Sequence, residues 1–276
     1  MAAKRKRIDL LLAERGLFPS RSAARAAIMA GVVYVNGEKV DKPGAQVTGS
    51  EEIVVRELPR YVSRGGLKLE RALRVFKIDL AGRTALDVGA STGGFTDCML
   101  QHGAARVYSV DVGYGQLDWR LRQDRRVVVL ERTNVRYLSA EDIGEEVSFA
   151  GVDVSFISLT LVLPVLRRLG VPEAVLLVKP QFEIGKGRVG KKGVVREPQD
   201  HLEVLRKVAA AARDLGYAVL NTTFSPLRGP EGNIEYLLHL KDRGEEGTDM
   251  QPDFAAVVRE AHRQLAEKGN RPQTEN

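Results

Sequence analysis

The chain of 276 residues has one cysteine, one tryptophan and few aromatic side chains, which make up 6% of the sequence. A lone Cys98 excludes a disulfide framework and a cysteine-based zinc site, and it fits a reducing, cytoplasmic compartment. Long hydrophobic runs are also lacking. The most apolar stretch, residues 26–35, is interrupted by Gly31 and is shorter than the roughly 18 residues of a membrane-spanning helix. The basic first residues lack the apolar segment of a secretory signal. We therefore expect a cytoplasmic protein without an integral membrane segment.

Hydrophobic residues make up 43% of the chain, enough for a folded core, so a mainly disordered protein is excluded. The formal net charge is +6 and the sequence pI is about 9.4. Much of the basic excess lies in the first 60 residues. Such a surface attracts polyanions, either nucleic acid or an anionic membrane surface. The alternative is a basic face that only interacts with solvent.

Residues 1–60 are predicted to form a small α+β domain. An amphipathic helix starts near Ile8, and a second helix is capped by Ser20 and ends before Gly31. Asn36-Gly37 is typical of a type I′ hairpin turn. Three short strands are predicted at residues 32–35, 38–40 and 52–55.

A short linker is predicted near residues 58–64, and a second domain is predicted over residues 61–246. It begins with a helix at residues 67–76, after which strand and helix patterns alternate. This alternation is typical of βαβ units in a mostly parallel, doubly wound α/β sheet. The strands of the parallel part are predicted at residues 84–88, 106–111, 127–130, 147–153 and 174–179.

The last two strands of this domain are predicted at residues 218–224 and 234–240. The segment between them is too short for a crossover helix, so they should form an antiparallel hairpin. Residues 247–276 are predicted to contain one helix, over residues 252–267, and a polar tail.

A glycine-rich segment, residues 87–94, joins the first strand of the sheet to the next helix. Such a loop lets the backbone approach a ligand at the carboxyl edge of the sheet. The Asp-x-Gly-x-Ser-x-Gly-Gly pattern resembles the first motif of S-adenosylmethionine-dependent methyltransferases, and Asp111 ends the next strand, where such folds bind ribose hydroxyls. A structural glycine turn beside an unrelated surface acid is the alternative. The candidate cofactor-binding residues are Asp87, Gly89, Ala90, Ser91, Gly93, Gly94, Phe95, Asp111 and Asn134.

Two charged residues lie at the ends of neighbouring predicted strands, beside the expected cofactor site. Asp153 ends the fourth strand and Lys179 ends the fifth. A lysine that is partly removed from water loses its proton more readily and can act as a base. Each residue alone is more often a surface charge, but the pair favours a catalytic role.

Lys68 on the predicted helix and Glu235 on the final strand complete a candidate catalytic set with Asp153 and Lys179. The four residues resemble, in order and element type, the Lys-Asp-Lys-Glu tetrad of FtsJ-type 2′-O-ribose methyltransferases. The alternatives are a helix-surface lysine for Lys68 and a strand-edge carboxylate for Glu235.

The N-terminal pattern, including Arg7-Ile8-Asp9, Ser20-Arg21 and residues 28–37, resembles the S4 RNA-binding domain. Such a domain followed by Tyr61-Val62-Ser63-Arg64-Gly65-Gly66 and a methyltransferase resembles the TlyA family, also described as hemolysins, over about residues 5–245. The resemblance implies a Rossmann-like fold and S-adenosylmethionine as cofactor. It also implies 2′-O-methylation of cytidines in small- and large-subunit ribosomal RNA.

A ribose 2′-hydroxyl is a weak acid, so methyl transfer to it needs a proton acceptor and in-line alignment. We hypothesise that neutral Lys179 takes the proton and that Lys68 orients the hydroxyl. Asp153 and Glu235 would position the two ammonium groups. A sulfonium already makes its methyl group electrophilic, so no metal ion is expected.

Four basic residues of the first domain are candidates for phosphate contacts: Arg7, Arg21, Arg25 and Lys39. Phosphate contacts would position ribosomal RNA or a ribosomal subunit without reading its sequence. Their alternative role is solubility. The loop at residues 185–193, rich in glycine and lysine, is predicted to be a mobile RNA-facing segment or a plain flexible loop.

Two other classes of function stay open at this point. The hemolysin label of the family suggests a membrane-active cytolysin, although the sequence lacks a long basic amphipathic helix with an aromatic apolar face. The second alternative is a non-catalytic RNA-binding or ribosome-assembly factor. Its glycine loop and tetrad would then be vestigial.

Overall fold

The computed structural model describes residues 5–56, 59–244 and 250–269, which divide into two units between Arg60 and Tyr61. The predicted boundary at residue 246 and the predicted polar tail lie outside the described residues.

In the first unit, two helices pack against short strands around an apolar cluster that includes Ile8, Leu12 and Ile28. The side chain of Ser20 accepts a hydrogen bond of 3.1 Å from the backbone N–H of Ala23 and so caps the second helix, as predicted. The elements are β1 (Lys6–Arg7), α1 (Ile8–Glu14), α2 (Arg21–Met29), β2 (Val33–Val35), β3 (Glu38–Lys39), β4 (Gln46–Val47) and β5 (Ile53–Val55).

The predicted hairpin of the first unit is present. Asn36 and Gly37 have φ angles of 50° and 81°, both positive as a type I′ turn requires, and they join β2 to β3. The sheet order is β3-β2-β5, and β1 pairs with β4 in a separate antiparallel ribbon that the sequence did not indicate.

The second unit alternates helices and strands, as the periodicity predicts. Its elements are α3 (Gly65–Phe76), β6 (Thr84–Val88), α4 (Gly94–Gln101), β7 (Arg106–Val110), α5 (Trp119–Gln123), β8 (Val127–Leu130), α6 (Ala140–Ile143), β9 (Phe149–Val152), α7 (Leu163–Arg168), β10 (Glu173–Val178), α8 (Pro180–Glu183), α9 (Pro198–Asp214), β11 (Tyr217–Phe224), β12 (Tyr236–Asp242) and α10 (Phe254–Gly269).

These strands form one sheet of seven, in the order β11-β12-β10-β9-β6-β7-β8. Strands β6 to β10 are parallel to their neighbours in this series, whereas β12 is antiparallel to both β10 and β11. The predicted mostly parallel α/β sheet with an antiparallel final hairpin is confirmed. Since β9 is buried along its whole length, the sheet is covered on both faces.

The two ends of the second unit pack onto it. Tyr61, within the predicted linker, is buried, and the Val62 N–H donates a hydrogen bond to Asp97 of α4. Helix α10 packs against α9 and β11 through a face that includes Phe254 and Val258.

Candidate active site

The glycine-rich loop between β6 and α4 lies where the ends of β7 and β9 meet β6. The Gly89 N–H donates to the Val110 carbonyl at the end of β7. Gly89 has a φ of +87°, and a Cβ there would lie 2.4 Å from the carbonyl oxygen of Asp153. The close backbone approach therefore requires glycine at this position.

Asp111 holds this loop from the end of β7. Its carboxylate accepts hydrogen bonds from the backbone N–H groups of Ser91 and Gly113, each at 2.7 Å. Each carboxylate oxygen keeps a second acceptor site, so Asp111 can still accept hydrogen bonds from hydroxyl groups of a ligand.

Asp87 lies beneath the loop and does not line either of the two cavities at this edge of the sheet. Its fully buried carboxylate accepts hydrogen bonds from the Thr96 N–H (2.8 Å) and hydroxyl (2.6 Å), which fixes the first turn of α4. Burial raises the pKa of Asp87 to about 7. Gly93 also lies behind the site, since a Cβ there would be 2.2 Å from a methyl group of Leu121. Both residues shape the loop from behind.

Two cavities open at the carboxyl edge of the sheet, with volumes of about 620 and 700 Å³. Asp111 and Asn134 line the larger one, which extends over the ends of β7 and β8. The smaller one contains all four tetrad residues together with Ala90, Gly94 and Phe95. The cavities meet at five shared residues: Gly89, Ser91, Asp153, Ser155 and Phe156.

The tetrad forms two ion pairs in the smaller cavity. Lys68 Nζ lies 2.6 Å from Glu235 Oε2, with 10% of the lysine side chain and 1% of the glutamate side chain exposed. Lys179 Nζ lies 2.6 Å from Asp153 Oδ1 and donates a hydrogen bond of 2.9 Å to the Ser155 hydroxyl. A charge buried this far is stable only when paired, so each lysine is held by a carboxylate.

The sheet register explains how distant residues meet in this cavity. Tyr236 pairs with Val178 across β12 and β10, which places Glu235 level with Lys179. Helix α3 buries Lys68 on the same side as Leu69 and Ala72, and this helix packs against β12.

Several cavity residues were not singled out from the sequence. Ser155 and Phe156 follow Asp153 closely, and Phe182 follows Lys179 closely. Their position just after the end of a strand was the feature of the sequence that could have identified them as cavity residues. Phe156 is 92% exposed and has a φ of +64°, which is strained for a bulky residue. Its ring centre lies 5.0 Å from that of Phe182, so an aromatic pair stands at the mouth of the cavity.

Glu183, in the same short helix as Phe182, connects this helix to the loop after β9 that carries Phe156. Its carboxylate accepts hydrogen bonds from the Ser158 hydroxyl (2.6 Å) and the Leu159 N–H (2.7 Å). Burial raises its pKa. The loop that follows β9 is thereby tied to α8, next to Lys179.

The loop at residues 185–193 closes one side of the smaller cavity through Val189 and Gly193. Its end is anchored by Asn233, which accepts a hydrogen bond from the Val195 N–H and donates one to the Gly193 carbonyl. The mobility of this loop and its contact with RNA stay predictions.

In the first unit, the structure joins two of the four candidate RNA-binding residues. Arg7 and Arg21 donate hydrogen bonds to the fully buried carboxylate of Asp9, at 2.9–3.0 Å. Since a guanidinium has five N–H donors, both arginines retain donors for a phosphate. Arg25 and Lys39 are exposed.

The Asp9 cluster predicts an acid sensitivity of the first unit. Hydrogen bonds from Arg7, with those from Arg21, lower the pKa of Asp9 to about 2. The carboxylate therefore stabilises the folded unit above the unfolded pKa of about 4, and this contribution is lost as the pH falls through about 2. We expect Asp9→Asn to speed hydrogen exchange of the α1 and α2 amides at pH 7, by a factor that shrinks below pH 4. A pH-independent difference would contradict this role.

Within the described residues, no helix is both long and apolar enough to cross a bilayer.

Comparison with known proteins identifies both units. A family model described as FtsJ-like methyltransferase matches residues 61–242, and an S4 domain model matches residues 6–53. The chain is 47% identical over 269 residues to the 16S/23S rRNA (cytidine-2′-O)-methyltransferase TlyA of Mycobacterium tuberculosis, covering 96% of this chain and 99% of that protein. It is 42% identical over 236 residues to Hemolysin A of Brachyspira hyodysenteriae, covering 84% and 98%.

A solved structure from Streptococcus thermophilus, provisionally described as a hemolysin, is similar over both units. It is 45% identical, has a TM-score of 0.74, and the match covers 98% of this chain and 100% of that chain. The match to the Mycobacterium tuberculosis protein and the match to this structure each span nearly the full length of both chains. The chain therefore belongs to the TlyA family of RNA methyltransferases, in which an S4 domain precedes an FtsJ-like methyltransferase domain.

Proposed function

We propose that this protein transfers a methyl group from S-adenosylmethionine to the 2′-hydroxyl of a cytidine in ribosomal RNA. The observation that carries the proposal is the presence of two buried ion pairs, Lys68–Glu235 and Lys179–Asp153, in the smaller cavity. This cavity meets the larger cavity at Gly89 of the glycine-rich loop. The similarity to the 16S/23S rRNA (cytidine-2′-O)-methyltransferase of Mycobacterium tuberculosis supports cytidine in 16S and 23S rRNA as the substrate.

The larger cavity fits the proposed cofactor. The backbone of Gly89 lines this cavity, and Asp111 and Asn134 supply acceptors for hydroxyl and amino groups. Asp153, at the junction of the cavities, would provide negative charge to balance a positively charged sulfonium. When bound, the cofactor would supply an electrophilic methyl group.

The tetrad would then position the ribose hydroxyl and move its proton. Lys179 first releases to solvent the proton that it holds in the ion pair with Asp153. The neutral amine then accepts the proton from the 2′-oxygen, and Asp153 together with Ser155 holds the lysine nitrogen in place. Lys68, fixed by Glu235, orients the hydroxyl by donating a hydrogen bond to its oxygen. Holding the acceptor oxygen in line with the methyl group removes much of the entropic cost of the reaction.

The Phe156–Phe182 pair supports a nucleotide as the substrate. An exposed aromatic ring beside a buried catalytic cavity can stack on an unstacked base, which is the usual way in which proteins bind single nucleotides of RNA. The S4 domain would supply phosphate contacts through Arg7, Arg21, Arg25 and Lys39.

Methyl transfer from labelled S-adenosylmethionine tests the proposal directly. The substrates are naked 16S and 23S rRNA and purified ribosomal subunits, and the modified positions are mapped as 2′-O-methyl groups. Label at a cytidine ribose is the expected result. Label on a base, or cofactor binding with no label on any of these RNAs, would refute the proposal.

Asp111→Asn should weaken cofactor binding. The new amide NH₂ would face the backbone N–H of Ser91 or Gly113, and an unpaired donor in this position costs about 1–3 kcal/mol. We expect the Kd for S-adenosylmethionine, measured by calorimetry, to rise about tenfold or more. Asp214→Asn, at an exposed position on α9, is the control. An unchanged Kd in Asp111→Asn would exclude Asp111 from the cofactor site.

A further inference from the structure

The side of α3 that carries Lys68 continues along the helix as a row of arginines. Arg64, Lys68 and Arg71 are spaced by four and three residues, so they share one side of the helix, and Arg74 follows three residues later. Arg64 and Lys68 line the catalytic cavity. The row therefore leads from the cavity along the outside of the second unit.

Arg71 is an unusual member of this row because its charge is partly buried and unbalanced. Its Cζ lies 4.2 Å from the ring centre of Phe224, and its Nε is shielded from solvent without a hydrogen-bond acceptor. Among the described residues, no carboxylate pairs with Arg71 or Arg74. Burial, together with the nearby Arg74, lowers the pKa of Arg71. A cation held in this way is costly unless an anion joins it.

Phe224 connects this cation to the strand pair that carries Glu235. It ends β11 and pairs with Tyr236 of β12, and the next residue, Ser225, donates its N–H to the Glu235 carbonyl at 2.8 Å. Glu235 in turn holds the catalytic Lys68, one helical turn from Arg71. The guanidinium is thus fixed next to the strand pair that carries part of the tetrad.

We propose that Arg71, with Arg64 and Arg74, binds a backbone phosphate of the RNA strand beside the target nucleotide. This inference rests on the proposed function, because a ribose in the cavity would bring its flanking phosphodiesters to the cavity rim. A planar guanidinium binds phosphate oxygens through two parallel hydrogen bonds, and stacking on Phe224 orients its plane before the RNA arrives. Such a contact positions the strand and is independent of base sequence.

Two substitutions in the full-length chain separate charge from packing. Arg71→Met keeps a long apolar stem against Phe224 but removes the charge, whereas Arg71→Lys keeps the charge without the planar donor group. With an RNA fragment that wild type methylates, we expect Arg71→Met to raise KM about five- to tenfold with kcat within about twofold, and to reduce the salt slope of RNA binding by about one. Arg71→Lys should lie between these values. Arg206→Met, at an exposed position on α9, should leave KM unchanged.

A measurement of RNA binding without turnover tests the phosphate site independently of the methyl-transfer reaction. If wild type methylates no RNA, the proposed function fails, and filter binding of 16S and 23S rRNA still compares Arg71→Met with wild type. An unchanged salt slope and affinity would overturn the phosphate site. A loss of kcat together with a lower Tm would also overturn it, since both would follow from disturbed packing on Phe224.

Discussion

Lys179→Met is expected to abolish methyl transfer, by at least about a hundredfold in kcat, while S-adenosylmethionine binding changes little. The substitution removes the proposed proton acceptor, and general base catalysis contributes typically 10²- to 10⁴-fold. It leaves Gly89, Ser91 and Asp111, which line the proposed cofactor cavity, in place. Single-turnover methyl transfer and calorimetric cofactor binding measure the two effects separately.

Lys179→Arg distinguishes a proton acceptor from a fixed positive charge. An arginine can retain the ion pair with Asp153 but does not lose its proton in a protein, so this variant should be as inactive as Lys179→Met. Lys241→Met, at an exposed position on β12, is the matched control and should keep wild-type turnover. Substantial activity in Lys179→Arg would show that the site needs the charge and that Lys179 is not the base.

Gly89→Ala is expected to disable both cavities at once. The added Cβ would lie 2.4 Å from the carbonyl oxygen and 2.9 Å from the carbonyl carbon of Asp153, which are backbone atoms that cannot move without displacing the end of β9. Overpacking of this kind costs about 1–3 kcal/mol. The shift would also move Asp153 away from Lys179, so we expect at least about a tenfold loss of cofactor affinity and a larger loss of turnover.

Gly82→Ala is the control for this prediction. Gly82 also has a positive φ, +72°, but no atom lies within 4 Å of the position of its Cβ. Both variants therefore share the backbone strain of a left-handed alanine, about 1–2 kcal/mol, and only Gly89→Ala adds the clash. Urea unfolding and calorimetry of both proteins separate the two contributions. Equal behaviour of the two variants would refute the packing argument.

The α/β sheet was predictable because each buried strand is a short apolar run bounded by turn residues. The predicted strand at residues 147–153 is nevertheless longer than β9 (Phe149–Val152), since sequence periodicity does not show where ladder pairing stops. The pairing of β1 with β4 was missed because two-residue strands carry no periodicity.

The candidate site was partly predictable for a similar reason. Polar residues at the carboxyl ends of strands identify the edge where ligands bind, and this placed Asp153 and Lys179. The same reasoning could not show that the Asp87 side chain points into the protein, because its place in the motif also allows it to point towards a ligand. Its inward orientation is set by the hydrogen bonds with Thr96. It also could not find the Arg71–Phe224 contact, which joins α3 to β11 across 153 residues of chain.

The ion pair between Lys68 and Glu235 has a consequence for biosynthesis. The two residues are 167 positions apart, and Glu235 precedes β12, which lies between β10 and β11 in the finished sheet. A nascent chain that has released β6 to β10 from the ribosome therefore holds Asp153 and Lys179 but lacks the partner of Lys68. On the proposed mechanism, the catalytic set is complete only after β12 has been inserted between β10 and β11.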